Sequence, residues 1–351
     1  MSRVYLDHNA TTPLRPEARA AMAEAEDIVG NPSSVHAEGR RAKAFLESCR
    51  ARLGEALGAT GGVSGAEIVF TGSATEAAAM ALAGRGIACS GVEHDAVAAW
   101  CEPGLATDGA GRVTVTDAGF ATLQLANSET GVMQDLPEGL WMSDFTQAFG
   151  KVAVNFLSSG PLMAIVSAHK LGGPKGIGAL VMRRGIDLDP VLKGGGQEMG
   201  RRAGTENLIG IAGFAAAAEA AVADVASGRW EEVEETRDLL EAALVGGDKP
   251  PILVGKGARR LPNTTCLLSE GWKGETQVMQ MDLARFSISA GSACSSGKVK
   301  TSPVLRAMGY SEAQAGCGIR ISLGLETKRD DVLRFADAWA TQARKQQNKA
   351  A

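Results

Sequence analysis

Short apolar runs alternating with helical stretches constrain this chain more than any other feature. Glu67 to Phe70 reads as a strand, Thr71 to Thr75 as a turn and Glu76 to Ala83 as a helix. Further strands are predicted at Thr122 to Ala126, Trp141 to Asp144 and Met163 to Ala168. Residues 14–29 and 38–58 read as helices, the second because Phe45, Cys49, Leu53 and Leu57 recur every fourth position among Arg, Lys and Glu. Such interleaving predicts an α/β fold with a mainly parallel sheet, in which ligands collect beyond the carboxyl ends of the strands. Thr205 to Ser227 reads as a closely packed helix opened by a capping Thr. From Trp230 onward, helices and strands alternate in a way that suits a smaller α+β domain. The expected division is a large domain over 14–229 and a small domain made of 1–13 with 230–351.

At 351 residues and 45% hydrophobic content, the chain can bury a large core without disulfide or metal staples. Its 36 basic and 40 acidic residues leave a net charge of -4, with no basic surplus to neutralise a phosphate backbone, so nucleic acid is not an expected ligand. The start of the chain is polar and no later segment reads as membrane-spanning, which predicts a cytoplasmic protein. The six cysteines, at 49, 89, 101, 266, 294 and 317, lack the paired spacings of zinc sites and redox dithiols. Reduced thiols and no metal centre are expected.

Four constellations carry candidate chemistry. Lys170, in Ser167-Ala-His-Lys-Leu-Gly-Gly-Pro, follows an apolar strand and precedes a glycine-rich turn. It reads either as a surface lysine at a turn or as an amine desolvated enough to form a Schiff base. Asp144 ends the run Leu140-Trp-Met-Ser with Gln147 three residues on; it is either a helix cap or the partner of a buried cation such as a pyridinium nitrogen. Phe70-Thr-Gly-Ser-Ala-Thr-Glu joins strand to helix through small and hydroxylic residues and can form a phosphate cradle, although it lacks the lysine of a P-loop. Cys294, in Ser289-Ala-Gly-Ser-Ala-Cys-Ser-Ser-Gly-Lys, sits among small residues with Lys298 and Lys300 nearby, a setting for a nucleophilic thiolate.

Seven segments taken in order make a more specific pattern: Tyr5-Leu-Asp-His-Asn-Ala-Thr-Thr-Pro, Gly30-Asn-Pro-Ser-Ser-Val-His, Val92-Glu-His, Asp144 with Gln147, Ser167-Ala-His-Lys, Gly194-Gly-Gly-Gln-Glu and Ser292-Ala-Cys. Together they resemble the cysteine desulfurases. The resemblance implies the pyridoxal-phosphate transferase fold (fold type I), with pyridoxal 5'-phosphate as cofactor and L-cysteine as substrate. It implies Lys170 as the Schiff-base lysine, Asp144 on the ring nitrogen, Gln147 on the ring hydroxyl and His94 stacked on the ring. Ala74 (by its backbone), Thr75, Ser167 and His169 would hold the phosphate, and Thr205 would reach the phosphate of a second subunit, which implies a homodimer. Arg320, in Gly318-Ile-Arg-Ile-Ser-Leu-Gly, would bind the substrate carboxylate; the plainer reading is a salt bridge at the rim. Cys294 would receive the sulfur as a persulfide and pass it to an acceptor protein, in iron-sulfur cluster assembly or tRNA thiolation. His8 and His36 lie in matched segments and are expected to be structural.

Two departures stand out. The family carries two asparagines before Glu-Thr-Gly, whereas this chain reads Ala126-Asn-Ser-Glu-Thr-Gly. Ser128 therefore occupies the position near the ring hydroxyl, with Asn127 beside it. The 14 residues Asn127 to Leu140 contain Gly131, Pro137 and Gly139, and are predicted to cross without the covering helix of relatives. With 102–121 also trimmed, part of the sheet is expected to be bare or covered by a partner. The competing readings are a selenocysteine lyase or other aminotransferase-like enzyme, for which Cys294 matters less, and a catalytically weak scaffold that docks a sulfur acceptor.

Overall fold

A computed structural model describes residues 3–61, 65–246, 249–291 and 301–350, with side chains as far as 346. In chain order the elements of its first part are β1 (Val4–Tyr5), α1 (Pro16–Glu26), α2 (Ala37–Ala56), β2 (Ala66–Thr71), α3 (Ala74–Leu82), β3 (Ala88–Ser90), α4 (Asp95–Ala98), β4 (Glu102–Thr107), β5 (Val113–Thr114), β6 (Met142–Asp144), β7 (Met163–Ser167), β8 (Gly178–Arg183) and α5 (Leu208–Ala226). The second part holds α6 (Arg229–Leu244), β9 (Ile252–Leu253), β10 (Thr264–Leu268), α7 (Gly274–Leu283), β11 (Phe286–Ser287), β12 (Ser289–Ala290), α8 (Pro303–Ala307), α9 (Glu312–Ala315), β13 (Gly318–Ser322) and α10 (Arg329–Ala350).

The large sheet is α/β and mainly parallel. β8 lies between β2 and β7 and runs against both, while β6 pairs parallel to β7. Parallel bridges Thr122–Met142 and Ala88–Ala121 carry the sheet on to β3, which is parallel to β4. β2, β3, β6 and β7 therefore all run one way, and their carboxyl ends share one edge. The apolar stripe of α2 packs on one face of the sheet as its spacing demands: Leu46, Cys49, Leu53 and the following Leu57 are buried against Ile68, Phe70 and α5, with Phe45 partly buried beside them. His36 caps α2, its ring accepting from Gly39 N at 3.3 Å, a structural task.

Three expectations need correction. The segment 122–126 is held by bridges and by the bonds Leu123 N to Met142 O (3.2 Å) and Leu125 N to Asp144 O (2.9 Å), but is not a continuous strand, because the chain turns at once at 127–131. The helix expected from Thr205 starts at Leu208. Its cap is Asn207, whose side chain accepts from Gly210 N at 3.0 Å and leaves no room for a Cβ at 210. By length and composition α5 would suffice to cross a membrane, yet most of it is buried in the core. Residues 127–140 carry no helix, as their Pro and Gly content predicts. The sheet beside them is not bare: Ala121, Leu123 and Leu140 are fully buried beneath Val113, Val115 and Leu136 of the same chain.

The second core gathers Val4 and Leu6 with residues from Trp230 onward, among them Trp272, Phe286, Ile319, Ile321, Phe335 and Trp339. Its sheet, ordered β12-β13-β10-β9, is antiparallel throughout. β13 carries Arg320 inward from this sheet towards the large one.

Candidate active site

The shared edge of β2, β3, β6 and β7 collects nearly all the candidate residues. Ala74 and Thr75 open α3 just after β2, capped by Ser73, whose side chain accepts from Glu76 N, while Glu76 accepts from Gly72 N at 2.7 Å. The first-turn amides of such a helix have no partner within it and favour an anion. Gly178 is required here, since a Cβ would lie 2.6 Å from Ser73 C and 2.8 Å from Ala74 N. Thr205 borders a cavity of about 110 Å³ lined also by Thr71, Gly72, Gly176 and Arg202, so within one chain it lies beside its own cradle. His94 follows β3 and caps α4, its Nδ1 accepting from Ala96 N at 3.1 Å.

Asp144 ends β6, where its Oδ1 accepts from Thr146 N at 2.8 Å. The helix cap foreseen as the plainer alternative is not what Asp144 makes: no helix directly follows β6 among the described residues, and the bond closes a turn at 144–146 instead. Beside it, the buried Glu93 accepts from Gln124 N at 2.7 Å through Oε1, while its Oε2 has no partner among the described residues. Burial pushes its carboxyl up to about 8, the Gln124 hydrogen bond opposes this, and the charge of Asp144 adds to it. A neutral acid at Glu93 therefore stands beside Asp144 at the edge.

Ser167 ends β7, and a short helical turn brings round His169 and Lys170. Lys170 Nζ donates to the carbonyls of Asn9 (2.7 Å) and Ala10 (2.9 Å), and the Lys170 carbonyl accepts from Thr12 Oγ1. His169 Nδ1 lies 3.1 Å from Thr11 Oγ1. Burial, reinforced by Lys170 and Lys175, lowers His169 to about 4, so it is neutral at neutral pH. Residues 7–12 thus wrap the lysine. His8 belongs to this wrap and packs edge-on against Tyr5.

Arg320 is a buried residue, not one at a rim. It donates to Asp7 Oδ1 at 2.7 Å and to the Ser128 carbonyl at 3.1 Å, and its Nε has no acceptor among the described residues. The ion pair foreseen as the alternative therefore exists, but inside the site. Asn127 is spent on the turn: its Oδ1 accepts from Glu129 N, Thr130 N and Thr130 Oγ1, and its Nδ2 donates to the Val92 carbonyl. Its effect is to set the backbone of Ser128. Gln147 donates to the Asn9 carbonyl (3.0 Å) and accepts from Lys151 Nζ (2.7 Å). Cys294 lies outside the described residues.

Sequence reasoning passed over Asn9, Glu93, Glu129 and Lys151. Glu129 is buried, with its carboxyl raised to about 7 by burial, against which a Ser302 hydrogen bond and the Arg320 charge act. The missed signal was position: each sits inside or next to a matched motif, yet only burial makes a common residue type unusual.

An aldehyde-reactive amine, a carboxylate able to face a basic ring nitrogen, and a helix start beside neutral histidine form a donor set that fits pyridoxal phosphate. Residues 4–116 and 116–335 match the aminotransferase class-V family. A cysteine desulfurase of Cereibacter sphaeroides is 36% identical, over 96% of this chain and 95% of that protein. The chain belongs to the class-V aminotransferases, in their cysteine desulfurase branch. A second cysteine desulfurase, from Gluconacetobacter diazotrophicus, is 38% identical over 96% of this chain and 92% of its own. Among solved structures, a NifS-like protein from Rickettsia africae superimposes with a TM-score of 0.86 at 29% identity, covering 98% of this chain and 99% of the other. The fold of this class-V member is accordingly that of the type I pyridoxal-phosphate enzymes.

Proposed function

We propose that the protein is a pyridoxal-phosphate-dependent cysteine desulfurase that converts L-cysteine to L-alanine and leaves the sulfur as a persulfide on Cys294. The observation that carries this reading is the gathering of Lys170, Asp144, His94 and the opening of α3 at one sheet edge, with Arg320 brought in from the second sheet. Bound pyridoxal phosphate would supply an electron sink for the bonds at the substrate Cα. Lys170 would hold it covalently, Asp144 would face its ring nitrogen and Gln147 its hydroxyl, with Ser128 nearby. His94 would lie against the ring. Ala74 N, Thr75, Ser167 and His169 would take the phosphate, and Thr205 would do so from a second subunit.

Arg320 would orient the substrate carboxylate, and the Lys170 amine would move the Cα proton. The Cys294 thiolate then attacks the substrate sulfur: the S–S bond forms as the Cβ–S bond breaks, and the electron pair stays with the carbon skeleton, which takes up a proton and leaves as alanine. An acceptor protein takes the terminal sulfur onward, in iron-sulfur assembly or thiolation. The expected setting is cytoplasmic, the expected assembly a homodimer, and the expected division a large domain over 14–229 and a small one over 1–13 and 230–351.

Alanine and sulfide are measured from cysteine with a thiol reductant for the wild type, Lys170→Ala and Cys294→Ala. Equal yields that vanish in both variants are expected. Activity surviving in Cys294→Ala would instead indicate a lyase, and a folded but inactive wild type a docking scaffold.

A further inference from the structure

Asn9 is 1% exposed and every polar group it has is engaged. Its carbonyl accepts from Lys170 Nζ at 2.7 Å and from Gln147 Nε2 at 3.0 Å. Its Nδ2 donates at 3.1 Å to the Ser128 carbonyl, the same oxygen that Arg320 Nη1 reaches at 3.1 Å, and also to Thr264 Oγ1 at 2.9 Å. Its Oδ1 accepts from Asn263 Nδ2 at 3.1 Å and from Lys151 Nζ at 3.0 Å, and its N–H donates to Ser322 Oγ at 2.9 Å. One residue thus ties both sheets together: its side chain joins β10 to the turn at Ser128, while its backbone holds β13, on which Arg320 lies, and Lys170.

Lys151 explains why this geometry holds. It is 3% exposed, and its hydrogen-bond acceptors among the described residues are neutral amides, Asn9 Oδ1 and Gln147 Oε1. Burial, with the nearby charges of Lys170 and Arg320, draws its ammonium well below the usual lysine range. A buried amine left without these acceptors is strongly disfavoured, so Asn9 and Gln147 are held in place against it.

We propose that Asn9, held from behind by Lys151, is a positioning residue that sets Lys170 against Arg320, so that cofactor site and substrate-carboxylate site are built as one unit. The inference rests on the reading that Lys170 carries pyridoxal phosphate and Arg320 takes the carboxylate. It ties substrate affinity to a residue that touches neither substrate nor cofactor.

The test uses wild type, Asn9→Ala and Lys151→Met, each loaded with pyridoxal phosphate. Equilibrium dissociation constants for L-alanine and for alanine amide, which lacks the carboxylate, are read from the visible band of the cofactor, alongside KM and kcat for cysteine. In Asn9→Ala the dissociation constant for alanine and the KM for cysteine should rise about tenfold, the equivalent of one lost hydrogen-bonded contact, while alanine amide changes less than about twofold. Lys151→Met should move the same constants in the same direction. Unchanged constants, or equal weakening of alanine and its amide, overturn the inference while leaving the cofactor reading intact. A wild type that takes up no cofactor overturns both. If Asn9→Ala fails to load, Asn9→Ser, which keeps a short polar group, decides by the same criterion.

Discussion

Glu93 shows how much one buried side chain can encode. The unfolded chain ionises it near the ordinary carboxylate range, whereas burial in the fold holds its proton up to about pH 8. Its stabilising contribution is therefore complete below the unfolded pKa and is lost as pH rises through the folded one. His169 and His8, both lowered to about 4 chiefly by burial, act in the opposite sense: their folded forms resist protonation, so stability falls as pH drops from about 6.5 towards 4. Glu93→Gln should accordingly flatten the loss of stability between pH 5 and 8, gaining on the order of 2–4 kcal/mol relative to wild type across that window. Urea denaturation of both proteins at pH 5 and pH 8 measures it, and parallel curves would show that Glu93 is ionised in the fold. The sequence placed Glu93 only as the neighbour of His94. Its identity as an acid was legible; its neutrality arises from burial and from the charge of Asp144, 51 positions further along the chain, against the opposing hydrogen bond from Gln124.

Among the elements, the joint of β2, β8 and α3 matters most. Gly178 pairs with both Thr71 and Ser167, and its missing Cβ lets the start of α3 lie directly on the strand end. Gly178→Ala should displace Ser73 and Ala74, weakening pyridoxal-phosphate binding about tenfold or more, as expected when backbone must move to relieve overlap. Fluorescence titration with the cofactor checks this, and an unchanged affinity would remove the opening of α3 from the phosphate site. Sequence pattern located α2, α3, β7 and α5 to within a few residues, because each carries a regular period or a clear cap. It overcalled a strand at 122–126, where apolar content is right but the ladder is cut short by the Asn127 turn. It also placed the start of α5 at Thr205, whereas in the fold Asn207 caps the helix.

At the scale of the whole molecule, Thr205 links the fold to its assembly. Within a single chain it lies beside the 70–72 turn, while the family resemblance places its task across a subunit interface. Mixing two inactive variants, Lys170→Ala and Thr205→Ala, distinguishes the arrangements. If Thr205 acts across the interface, a mixed dimer contains one site with both defects and one intact, and desulfurase activity should return to about a quarter of wild type or less. If it acts within its own chain, every site keeps a defect and no activity returns. Sedimentation of the mixture reports whether dimers formed.

The sequence by itself determined the α/β class and the strand ends at which chemistry gathers, since periodicity and motif spacing are local properties of the chain, and its family resemblance singled out Lys170, Asp144, His94 and Arg320 as candidates. Tertiary structure alone decided how those groups are tuned and joined: the neutrality of Glu93, the buried setting of the Arg320–Asp7 pair, and the convergence of β10, β13, Lys151 and Lys170 on Asn9. The physical reason is that desolvation and hydrogen-bond partnership depend on what is packed within a few ångströms, and here the partners of Asn9 lie from 119 to more than 300 residues away along the chain.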